Sequence, residues 1–122
     1  MTSLLLLCPD DLHIDADTML ALFEDDTRFA DIRRNTPTGS LVEADFRIGD
    51  DYTTARLSQN GRRISLSGTS DAALAAALVI QSHLKIVMRI IDTDYTFDLT
   101  LSDYTTLDAL NAAIEEARSK GV

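Results

Sequence analysis

Cysteine is almost absent from this chain of 122 residues: Cys8 stands alone. No internal disulfide can form, so nothing in the sequence asks for an oxidising compartment. Glycine is also scarce, and the five glycines fall singly at turns. No Gly-rich loop exists to cradle a phosphate through successive backbone amides. Long apolar runs are missing too. No stretch reaches the roughly 18 apolar residues of a membrane span. The opening "SLLLLC" has no basic flank, and its run of about five is shorter than the roughly 7–15 residues of a secretory leader. A cytoplasmic protein is expected, with no membrane association. Positive charge is in short supply: 11 Lys and Arg face 20 Asp and Glu, a net charge of −9. Such a surface repels phosphate backbones and anionic lipid, so nucleic acid and membranes are poor partners. It favours fast encounter with a basic protein.

Apolar residues make up 45% of the chain, and its length suits one domain able to bury a core without staples. Residues 1–34 carry eight acids and three bases, 35–68 four of each, and 69–122 eight acids and four bases. Both ends of the chain are therefore acidic and its middle is neutral.

Hydrophobic periodicity orders the elements. "SLLLLC", ended by Pro9, reads as a strand. The segment 11–26 reads as a helix capped by Asp15 or Asp17, with Met19, Leu20, Leu22 and Phe23 on its apolar side. The segment 27–39 is ambiguous: Phe29 and Ile32, three apart, are compatible with continued helical packing, and Asn35, Pro37 and Gly39 then break the chain into a loop. From residue 40 the period becomes two. Val42, Ala44, Phe46 and Ile48 alternate with polar residues, as do Ala55 and Leu57, then Ile64 and Leu66. Turns at 49–51 and at Asn60-Gly61 join these runs into a meander. Residues 69–84 form a helix capped by Thr69 or Ser70, apolar almost all round. Strands are expected at 85–91 and at 95–101, the second with Tyr95, Phe97, Leu99 and Leu101 on one side. "DTD" at 92–94 is the tight turn between them. A last helix starts at Thr105 or Thr106 and ends in a basic turn before Gly121. "SDAALAAAL" at 70–78 and "TLDALNAAI" at 106–114 resemble each other, each after a hairpin. The expected fold is a single α+β domain, 1–122, in the order βα-βββα-ββα. It has one antiparallel sheet of five to six strands with two to three helices on one face.

The stretch 90–114 holds five aspartates. Asp92 and Asp94 fit the first two places of an EF-hand loop, but the glycine and the closing glutamate are missing. Turn and solvent-face roles account for these aspartates better than calcium does. His13, His83 and Cys8 lack zinc-ligand spacing. A Cys8–histidine nucleophilic pair competes with a buried inert thiol, and the apolar run around Cys8 favours the thiol. Paired acids such as Asp10/Asp11, Asp25/Asp26 and Glu115/Glu116 look solvated. No catalytic residue, metal or cofactor is expected, and the chain is not expected to be an enzyme.

Small size, acidity and the lack of a catalytic set point to a protein-binding module. Its most concrete form is a small acidic immunity or antitoxin-type protein that neutralises a basic, toxin-like partner and is a monomer or homodimer when free. The alternative is a small-ligand-binding or self-associating regulatory domain using the open sheet face. The candidate partner-binding residues are those of two hairpin ends: Asp50, Asp51 and Tyr52, and Asp92, Asp94 and Tyr95. Tyrosine beside acids suits an interface, since it buries area and keeps a hydroxyl.

Overall fold

The computed structural model describes residues 2–37 and 39–120. Its elements run β1 (Leu4–Leu7), α1 (Ala16–Asp25), β2 (Phe29–Arg34), β3 (Val42–Ile48), β4 (Asp51–Leu57), β5 (Arg63–Leu66), α2 (Asp71–Leu84), β6 (Arg89–Asp92), β7 (Asp98–Thr100) and α3 (Leu107–Lys120). A short 3-10 turn, Leu101–Asp103, follows β7. The strands form one antiparallel sheet in the order β2-β3-β4-β5-β1-β6-β7. The α+β class and the single antiparallel sheet follow the sequence reading. Strand number and order do not: there are seven strands among the described residues, and the order is βα-ββββα-ββα.

The extra strand is β2. Its Phe29 and Ile32 suggested helix because an irregularity between Ala30 and Arg33 breaks the period of two. Asp31 sits there in the left-handed region, at φ 54, as a bulge residue does. Two other boundaries move. Lys85 takes the left-handed C-cap position of α2 at φ 56, so β6 begins only at Arg89. Tyr95 is left-handed at φ 53, which prolongs the turn and shortens β7 to three residues.

Alternation decides which face is buried. Leu4, Leu6, Val42, Ala44, Phe46, Ala55, Leu57, Ile64, Leu66 and Ile90 point to one side and are buried. They meet Met19, Leu22 and Phe23 of α1, most of α2, and Leu110 and Ile114 of α3 in a single cluster. Phe29 stacks between Phe23 and Phe46, each pair 4.8 Å apart at the ring centroids. Met88 and Phe97 are buried beside the sheet, and Leu99 is half-buried. Ile48, expected inside, is 36% exposed because it ends β3 at the sheet rim. The β4–β5 and β6–β7 hairpins, each followed by its helix, flank β1 on either side, and α2 packs on α3. Gly121 lies outside the described residues.

Candidate functional site

Strand pairing brings the two candidate hairpin ends to the same end of the sheet. Ile48 pairs with Asp51, so Gly49 and Asp50 form a two-residue turn, with Gly49 left-handed at φ 56. Leu66 pairs with both Ala55 and Leu4, and Leu4 pairs with Asp92. The β3–β4 turn and the β6–β7 turn therefore project in one direction. Three strand spacings separate β4 from β6, roughly 14 Å at about 4.8 Å each.

The six residues do not play one role there. Asp50, Tyr52, Asp94 and Tyr95 are exposed, the tyrosines by 60% and 64%. Arg47 lies over the Tyr52 ring at 5.9 Å. Tyr95 donates its hydroxyl to Asp98 Oδ2 at 2.9 Å, and Arg89 grips the same carboxylate through Nε (3.0 Å to Oδ1) and Nη2. The Asp98 carboxyl is held below its usual range first by Arg89, against a burial effect, and then by Tyr95. Thr2 anchors Asp94 by donating its hydroxyl at 2.6 Å. Both tyrosine rings are thus positioned by neighbouring side chains.

Asp51 serves the fold. Its Oδ2 accepts the Ala72 N–H at 3.0 Å and its Oδ1 the Ser70 hydroxyl at 3.1 Å. The sequence suggested that Thr69 or Ser70 caps this helix. Ser70 is the N-cap residue, but its side chain caps nothing, and the hairpin aspartate satisfies the free amide instead. Those hydrogen bonds, led by the Ala72 amide, keep the Asp51 carboxyl below its ordinary range. Elsewhere the reading of caps is mixed. Thr106 Oγ1 accepts the Ala109 N–H at 3.1 Å, whereas Asp15 precedes α1 without a side-chain cap.

Asp92 is buried, at 2% exposure, and is not a solvated turn residue. It ends β6 on the helix-covered face. The Thr96 N–H donates to its Oδ1 at 2.6 Å, the Thr96 hydroxyl to its Oδ2 at 2.5 Å, and Arg118 Nη2 lies 3.5 Å from Oδ2. Arg118 also donates through Nε to Thr96 Oγ1 at 3.0 Å and covers the Phe97 ring at 5.3 Å. Burial alone would raise the Asp92 carboxyl. Thr96 and Arg118 outweigh it and leave the group below its ordinary value.

The remaining chemistry-bearing residues stay apart. Burial pushes the Cys8 thiol up, opposite to what a nucleophile needs. Its Sγ lies 3.9 Å from the Gly61 carbonyl. His13 pairs with Asp15 at 3.4 Å and His83 with Asp25 at 3.6 Å. Among the described residues no three acids, histidines or cysteines gather as a metal site. No helix among them is long and apolar enough to cross a membrane.

Sequence reasoning missed a buried acid on the outer face. Glu43 is 7% exposed there. It accepts from Arg33 Nε at 3.0 Å and Arg56 Nε at 2.8 Å. Asp45 accepts from Arg33 Nη2 at 3.3 Å and the Thr54 hydroxyl at 2.9 Å. The pairing of Glu43 with Arg56 follows from the two-residue β3–β4 turn and could have been counted out from it. The Arg33 contact depends on β2 and could not. Comparison with family models, curated proteins and solved structures finds no match to this chain.

Proposed function

We propose that this chain is a protein-binding module that works through the acidic end of its sheet. In its most concrete form it is an immunity or antitoxin-type protein that neutralises a basic toxin domain by direct contact. One observation carries the reading. The two most exposed aromatic side chains, Tyr52 and Tyr95, stand on hairpin ends that project from the same end of the sheet, beside the exposed carboxylates of Asp50 and Asp94. Aromatic anchors with charges at their rim are the anatomy of an interface centre. Rings held in advance by Arg47 and Asp98 lose little side-chain freedom on binding. The net charge of −9 complements Arg- and Lys-rich partners and speeds their approach. Asp51 and Asp92 contribute by fixing the loops.

Co-purification from the native cell followed by mass spectrometry is the first test, with a stoichiometric basic protein as the expected result. That protein should be harmful when produced alone and silenced by this chain. Asp50→Lys with Asp94→Lys reverses two exposed charges without touching the α2 cap or the buried Asp92. The double variant should slow association, and added salt should shrink the difference. Binding at the wild-type rate in low salt would place the interface elsewhere.

A further inference from the structure

The outer face of the sheet carries a different charge balance from the rest of the molecule. Arg33, Arg47, Arg56, Arg63 and Arg89 share it with Glu43, Asp45 and Asp98, five cations to three anions on a chain of net charge −9. Four of the five arginines are engaged. Arg33 and Arg56 hold Glu43, Arg89 holds Asp98, and Arg47 covers Tyr52. Arg63 has no carboxylate partner among the described residues, although its backbone N–H donates to Ser58 Oγ at 3.1 Å.

A cleft of about 610 Å³ opens on this face beside Arg63, lined by Leu5, Arg56, Ser58, Asn60, Arg63 and Ser65. That volume lies within the range of small-molecule sites. Arg56 pairs with Ser65, two residues from Arg63 on the neighbouring strand. The two arginines are diagonal neighbours, with Cα atoms roughly 7–8 Å apart. A single tetrahedral dianion can bridge guanidinium groups at that spacing, and paired planar forks suit phosphate better than ammonium groups do. Leu5, across from Ser65 on β1, adds an apolar floor. The Asn60-Gly61 turn stiffens the rim: Asn60 Oδ1 accepts the Ser58 hydroxyl at 2.7 Å and the Arg62 N–H at 3.0 Å.

We propose that this cleft binds a small organic phosphate, its phosphate bridging Arg56 and Arg63 and its organic part lying on Leu5. The site faces away from the helices and is independent of the acidic sheet end, so either reading can fail alone. The test is a titration of the full chain with inorganic phosphate and with ribose 5-phosphate, followed by backbone amide NMR shifts. Sodium chloride at matched ionic strength is the control. Saturable shifts are expected at residues 58–65, with ribose 5-phosphate binding more tightly than inorganic phosphate. Arg63→Ala removes no ion pair and should keep the wild-type melting temperature while weakening binding by about tenfold or more. Arg63→Lys should retain part of the affinity, and Asp50→Lys with Asp94→Lys should leave the shifts at residues 58–65 in place. Shifts that chloride reproduces, or that survive unchanged in Arg63→Ala, would overturn the proposal.

Discussion

Asp92→Ala would separate a structural aspartate from a solvated one. In the wild type the carboxylate is 2% exposed and accepts two donors from Thr96, with Arg118 at 3.5 Å. Alanine leaves the Thr96 amide without its acceptor at the edge of the core. A hydrogen bond to a charged group contributes about 1.5–3 kcal/mol. The Thr96 hydroxyl is on an exposed residue and can turn to water, so its loss counts for less. Arg118 is 44% exposed, and its attraction is screened toward the small values of surface pairs. The sum is about 3 kcal/mol, which for a chain of this length lowers the melting temperature by roughly 10–15 °C. Asp92→Asn keeps an acceptor for the amide but loses the charge, and should cost about 1–2 kcal/mol.

Acid adds a second check. The folded carboxyl lies below its ordinary value. Its stabilisation is complete above the unfolded value of about 3.9 and is lost as pH falls through the folded one. Urea unfolding of wild type and Asp92→Asn should therefore show a full gap at pH 7 that narrows below about pH 4. Other acids titrate in the same range, but the difference between the two proteins isolates this one. An Asp92→Ala protein as stable as wild type, or a gap of constant size down to acid unfolding, would refute the account and return Asp92 to the solvated turn.

Two further substitutions test how the loops are held. Asp51→Ala should lower the unfolding midpoint by less than Asp92→Ala does, because a single helix cap is lost, and Asp51→Asn should restore most of it, since asparagine also caps. Gly61→Ala should destabilise the chain by about 1–3 kcal/mol, because a Cβ there would lie 2.5 Å from the Ile14 carbonyl oxygen at φ +69. Gly49→Ala meets nothing within 4 Å at φ +56 and should cost less, so thermal melts showing the reverse order would remove the close approach of the 8–15 segment as the reason for glycine.

The chain's own pattern determined the meander and the apolar second helix. Alternation between 42 and 66 marks the inward residues of a pleated surface, and Gly61 supplies the left-handed residue of the loop that joins β4 to β5. The all-round apolar character of α2 came from the same local reading. Tertiary structure decided the rest. β2 is an edge strand whose bulge at Asp31 hides its period, and only its pairing with β3 shows that it is a strand. The two hairpin ends were legible as turns, but their shared direction depends on β1 inserting between β5 and β6, a pairing across some 60 residues on one side and more than 80 on the other. The same aspartates look alike in sequence. Asp94 stays at the surface, Asp51 is drawn to a helix amide 21 residues away, and Asp92, bonded first to Thr96 of its own turn, is buried with Arg118, 26 residues away, at 3.5 Å. An aspartate in a turn satisfies its own loop by default. Whether its carboxylate then stays in solvent or is drawn into the core depends on which distant groups folding packs against it, and no local window of sequence contains them.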